Sequence, residues 1–76
     1  MMGRVKNTKP NGYGFIETES GEEYFFHAEK FKGDWAQLVQ LSPPNVRVGN
    51  GPIVQFRPVE HKRGLRAENV ILMDDI

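Results

Sequence analysis

The stretch Asn11-Gly12-Tyr13-Gly14-Phe15-Ile16-Glu17 decides how this chain folds. As a strand it alternates: Tyr13 and Phe15 project from one face, Ile16 from the other. Gly12 and Gly14 remove side-chain bulk opposite Tyr13. Paired rings on one face read in two ways. They are either the inward face of a core strand, with glycines marking close packing, or a wet platform on which unpaired bases stack. The stretch alone favours the core.

The flanking segments supply what the stretch lacks. Residues 2–8 form a first strand with Val5 inward, and Lys9-Pro10-Asn11-Gly12 is a turn, because Asn-Gly tolerates positive φ and proline fixes its own. After a second turn, Glu19-Ser20-Gly21-Glu22, the run Tyr24-Phe25-Phe26-His27 reads as a third strand. Phe25 and His27 share one of its faces, Tyr24 and Phe26 the other. The two hairpins make a meander.

Residues 34–41 change period. Trp35, Leu38 and Val39 have the i, i+3, i+4 spacing of a short helix. Asp34 is its cap, Gln37 completes a capping-box pattern, and Ser42-Pro43-Pro44 is its stop. Gly49-Asn50-Gly51-Pro52 is a further turn. Residues 53–57 form a fourth strand with Val54 and Phe56 on one face, and Pro58 marks its end or an edge. Residues 59–64 read as a basic loop. Residues 65–73 contain a fifth strand, clearest at Val70-Ile71-Leu72. Five short strands in a chain of 76 residues predict an all-β fold: a five-stranded antiparallel barrel, closed because a small domain has few other ways to protect its edges.

Composition narrows the function classes. Ten basic and ten acidic residues cancel, so net charge names no partner. Distribution is more telling: Arg4, Lys6 and Lys9 precede the opening stretch, and His61-Lys62-Arg63 with Arg66 form a second basic group. No cysteine is present, which excludes disulfides and thiolate metal sites and suits a reducing cytoplasm. With only His27 and His61 and no spaced carboxylates, neither metal nor cofactor is expected. No nucleophile-elbow, P-loop or dinucleotide signature occurs, so an enzyme is not expected. No apolar run approaches the ~20 residues that span a bilayer, and no signal-peptide core is seen. The expectation is a soluble, cytoplasmic protein with no membrane partner.

Gly12-Tyr13-Gly14-Phe15-Ile16 matches the centre of an aromatic RNA-binding signature. Its position so near the start leaves no room for the helix and strand that precede it in an RNA-recognition motif. With Gly3-Arg4-Val5-Lys6, Phe25-Phe26-His27, Arg63-Gly64 and Ala67-Glu68-Asn69-Val70 in the same order, the chain resembles the bacterial cold-shock protein family. The resemblance implies one domain over residues 1–76, an OB-type barrel with an extended 28–50 loop carrying the helix. It further implies binding of single-stranded RNA or DNA, in the manner of an RNA chaperone or antiterminator. Carried over position by position, it makes Tyr13, Phe15, Phe25 and His27 stacking residues, Lys6 the basic residue of the first strand, and Trp35 a stand-in for a loop aromatic. Lys62, Arg63 and Arg66 fall along the phosphate path.

An inward set of Val5, Ile16, Tyr24, Phe26, Val54, Phe56 and Val70 supplies the core independently, which turns Tyr13 and Phe15 outward. The chain departs from the family at Asn7 and Thr8, where an aromatic pair is usual, at Asn11, and at Ala28; 23 residues separate His27 from Gly51. Those departures keep an alternative open: a protein-interaction module on the same barrel with reduced nucleic-acid affinity. Monomer and strand-exchanged homodimer are both compatible with the sequence.

Overall fold

The computed structural model describes residues 1–42 and 51–73. The strands are β1 (Met2–Lys9), β2 (Tyr13–Glu17), β3 (Glu23–His27), a two-residue β4 (Phe31–Lys32), β5 (Ile53–His61) and β6 (Gly64–Leu72). A single 3₁₀ turn (Ala28–Lys30) follows β3, and α1 (Trp35–Leu41) follows β4. The strand order is β3-β2-β1-β5-β6-β4, and β3 also pairs with β6, which closes the five long strands into a barrel.

The expected five-stranded barrel is present, and one of its five pairings is parallel. β1–β2, β1–β5, β2–β3 and β5–β6 are antiparallel, but the β3–β6 seam is parallel, at Phe25 and Arg66. Five strands that alternate in direction bring the first and last into the same sense when the ring closes. The seam of an odd-membered barrel of this kind is therefore parallel. The short β4 joins β6 in parallel as well.

Two register shifts shape the walls. In β1, Val5 pairs with Ile16 and Asn7 with Phe15, so Lys6 is an extra residue with no partner of its own. The bulge reverses the alternation beyond it: Thr8, rather than Asn7, turns inward and is buried. In β6, Asn69 and Val70 together oppose Phe56, and Asn69 takes a φ of 51°, a left-handed conformation that asparagine tolerates better than most residues.

All seven residues of the expected inward set are buried, joined by Phe31, Leu38 and Ala67. α1 forms because its apolar side has this core to cover. Leu38 is fully buried, Trp35 packs against the cluster, and Asp34 Oδ1 accepts the Ala36 N–H at 3.0 Å. The cap contact thus goes to Ala36 rather than to the amide of Gln37. At the other end Ser42 Oγ donates to the Leu38 carbonyl at 2.6 Å. The predicted stop at Pro43-Pro44 and the Gly49-Asn50 half of the following turn lie outside the described residues.

The fourth strand runs further than expected. β5 continues through Pro58 to His61, and residues 62–63 are the tip of a tight hairpin with His61 opposite Gly64, not a loop. β5 pairs with β1 only over residues 53–55. Phe56 still exchanges bonds with Met1 on that side, its N–H donating to the Met1 carbonyl at 2.8 Å; Pro58 lies past this contact, where that edge of β5 needs no N–H donor and proline is tolerated.

Gly14 stands where β2 packs closely against β1 and β3. A Cβ there would meet the Asn7 carbonyl oxygen at 2.8 Å, with Phe26 Cε1 and Thr8 Cγ2 both at 3.0 Å. Gly14→Ala should therefore destabilise the fold by roughly 1–3 kcal/mol, the usual range for overpacking, and an unchanged thermal midpoint would refute this account of the β1–β2 approach. Thr8 gives the opposite prediction. Its Oγ1 is buried without a hydrogen-bond partner, a state that costs about 1–3 kcal/mol. The isosteric Thr8→Val should raise the midpoint by several degrees, at ~4–8 °C per kcal/mol for a domain of this size.

Candidate nucleic-acid interface

Registered pairing of β2 with β3 builds the outer face row by row. Tyr13 sits opposite His27, Phe15 opposite Phe25, and Glu17 opposite Glu23. Every second residue shares a face, so all six side chains point away from the core filled by Ile16, Tyr24 and Phe26. Tyr13, Phe15 and Phe25 are half-buried, and His27 is exposed.

The three rings touch one another. Tyr13 lies nearly parallel to Phe25, with centroids 5.8 Å apart and planes inclined by 28°. Phe15 stands edge-on to both, at 6.1 Å from Tyr13 and 5.7 Å from Phe25. Each ring thereby holds its neighbours in place while leaving part of its surface to solvent. Such a preformed apolar surface loses little entropy when a flat ligand lands on it.

The barrel seam brings a cation to this surface. Arg66, paired across it with Phe25, places its guanidinium carbon 5.4 Å from the Phe25 centroid, within cation–π range. A depression of about 260 Å³ runs beside it, lined by Phe15, Phe25, Arg63, Gly64, Leu65 and Arg66. Arg63 therefore joins the rings although it belongs to a different hairpin, and Lys62 is exposed beside it at the tip. At the opposite corner Lys9 pairs with Tyr13 across β1–β2. His27 caps the 3₁₀ turn, its Nδ1 accepting the Glu29 N–H at 3.2 Å. That bond leaves the ring proton of the neutral imidazole on Nε2.

Lys6 and Trp35 have other engagements. Lys6 Nζ donates to Glu23 Oε2 at 2.9 Å and lies 4.0 Å from Glu17 Oε2. The hydrogen bond to Glu23, then the charge of Glu23, raise the ammonium pKa above its ordinary value, with Glu17 adding a smaller push. Trp35 packs edge-on against Phe26 at 5.6 Å and Phe31 at 6.1 Å, with the core rather than with the outer rings. Its Nε1 donates to the Lys9 carbonyl at 3.2 Å, which ties α1 to the end of β1.

Sequence reasoning did not pick out the Glu17–Glu23 row. The signal was present, since each lies two residues from a platform phenylalanine on its own strand. Among the described residues no cluster of three or more His, Cys, Asp or Glu side chains could hold a metal, and no helix is long and apolar enough to cross a membrane.

Comparison with known proteins agrees with this geometry. Residues 1–73 match the family described as the 'Cold-shock' DNA-binding domain. The chain is 34% identical over 70 residues to Cold shock protein CspD of Bacillus subtilis, covering 91% of this chain and 92% of that one. It is 33% identical over 72 residues to Cold shock-like protein CspC of Bacillus cereus, covering 93% and 97%. It is also 33% identical over 70 residues to Cold shock protein CspB of Bacillus caldolyticus, covering 91% and 92%. The chain belongs to the cold-shock domain family of nucleic-acid-binding proteins.

The placement of Trp35 can be tested separately from binding. Trp35→Phe keeps a ring against Phe26 and Phe31 but removes the donor to Lys9. The expected cost is about 1 kcal/mol, the usual worth of one hydrogen bond, seen as a fall of several degrees in the thermal midpoint. Trp35→Ala should cost clearly more, and equal effects would contradict the packing described.

Proposed function

We propose that this cold-shock domain protein binds single-stranded RNA or DNA on the β2–β3 face and acts as an RNA chaperone or antiterminator-like regulator. The observation that carries the reading is the mutually supporting cluster of Tyr13, Phe15 and Phe25, half-exposed over a core that other residues already fill. Bases stack on those rings and on His27. Arg66 and Arg63 flank the rings at the seam, Lys62 extends that edge, and Lys9 stands at the Tyr13 corner, so phosphates find cations on two sides.

A duplex keeps its bases stacked on each other and cannot offer their faces to the rings. Unpaired strands are therefore selected over paired ones without reading a particular sequence, because every base has a π-face. By mass action, a protein that holds the unpaired form lowers the population of weak secondary structure. This is the physical content of a chaperone or antiterminator role.

The test is an anisotropy titration of labelled single-stranded RNA, single-stranded DNA and a duplex, each at two salt concentrations. Both single strands should bind more tightly than the duplex. Stacking is worth about 1–3 kcal/mol per base, so a Phe15→Ala/Phe25→Ala variant should lose at least roughly tenfold in affinity while keeping its barrel spectrum. Binding untouched by that double substitution would remove the platform from the mechanism. Failure of all three nucleic acids would leave the protein-interaction alternative.

A further inference from the structure

The row formed by Lys9, Tyr13 and His27 lies where the ladders of the aromatic face stop. β1 and β2 pair no further than Lys9 opposite Tyr13, and β2 and β3 no further than Tyr13 opposite His27. Ladder ends open most readily, because nothing beyond them holds the strands together. Here the end is tied off. The Gly12 N–H donates to the Lys9 carbonyl at 3.0 Å, and the Ala28 N–H donates to the Gly12 carbonyl at 2.9 Å. Those bonds belong to the strands and their turns. A further one comes from the helix: Trp35 Nε1 donates to the same Lys9 carbonyl at 3.2 Å.

We infer that Trp35 is a positioning residue of the nucleic-acid face: without touching the strand, it holds the Lys9–Tyr13–His27 row in place through the Lys9 carbonyl. This rests on the binding reading above and adds to it the part that fixes one end of the platform. A carbonyl oxygen has two lone pairs, and here the turn takes one and the indole the other. Gly12, at a φ of 106°, passes the constraint on to β3, since its carbonyl accepts the N–H of the residue after His27. His27 is held in turn, because its Nδ1 caps the 3₁₀ turn that begins at Ala28.

The packing of the indole suits it to this task. Edge-on contacts with Phe26 at 5.6 Å and Phe31 at 6.1 Å fix the ring against the core, so its N–H is a donor of set direction. Phenylalanine would fill much of the same space but has nothing to donate. A row held before binding loses less freedom when bases settle on it. With the donor gone, the strand itself has to order the row, and that cost appears in its affinity. The helix thus reaches the site from behind, through the backbone, while its tryptophan stays with the core.

The experiment titrates a labelled oligothymidylate of eight nucleotides against the wild type and Trp35→Phe. The same substitution is then made in two backgrounds, Phe15→Ala and Tyr13→Ala/His27→Ala, each barrel being confirmed folded by circular dichroism. Trp35→Phe should weaken binding about fivefold, the worth of one ordinary hydrogen bond, and by the same factor in the Phe15→Ala background. In Tyr13→Ala/His27→Ala the factor should fall to near one, since the rings that the indole holds are gone. Hydrogen exchange without nucleic acid gives a second readout. The wild-type indole N–H should exchange slowly, and Trp35→Phe should speed exchange at the Gly12 and Ala28 amides more than at the centre of β2. Affinity untouched by Trp35→Phe, an equal loss in every background, or exchange that is fast at the wild-type indole or unaltered at Gly12 and Ala28 overturns the positioning role while leaving the platform standing. A wild type that binds no oligothymidylate overturns the platform itself, and the positioning role with it.

Discussion

The register between β2 and β3 is the constraint on which the rest of this molecule depends. Five residues on each strand, from Tyr13 opposite His27 to Glu17 opposite Glu23, assign every side chain to one of two faces. A slip of one residue would exchange them, burying Phe15 and Phe25 and exposing Ile16, Tyr24 and Phe26. Two devices resist that slip. The turn is tied by the Thr18 N–H to the Glu22 carbonyl at 2.9 Å and the Gly21 N–H to the Thr18 carbonyl at 2.9 Å. The inner face is committed to a core that draws Val5, Val54, Phe56 and Val70 from the other strands. The outer rings are thus held open to solvent by the packing of the residues between them.

What could be read in the sequence follows from this division. Alternation is a local property, so the faces of β2 and β3 and seven core residues were visible from the order of side chains alone. The helix was visible for the same reason, through the spacing of Trp35, Leu38 and Val39. Features set by distant pairing were not. A bulge is invisible until a strand has a partner, so Thr8 did not register as buried and Lys6 did not register as unpaired in the ladder. Pro58 reads as a strand end unless it is known that β1 leaves that part of β5 uncovered. The parallel seam is a consequence of ring closure, and no short stretch of residues encodes it.

The candidate site divides along the same line. Tyr13, Phe15, Phe25 and His27 fell together because two neighbouring strands suffice to place them. Arg63 and Arg66 reach the rings only through the seam, which local pattern could not show; the sequence offered them as a basic group on the phosphate path. Trp35 was legible as part of the helix's apolar side, but nothing nearby in sequence announces Phe26 and Phe31 as its neighbours or Lys9 as its acceptor. Lys6 looked like a free cation because its closest partner, Glu23, lies 17 residues away.

Zero net charge is compatible with binding a polyanion here because stacking and charge act at different ranges. Each base on a ring contributes about 1–3 kcal/mol, with little dependence on salt. Phosphate contacts depend on salt and weaken as counterions compete. On the binding reading proposed above, a face of three rings in contact sets most of the affinity, and the cations mainly set the position of the strand.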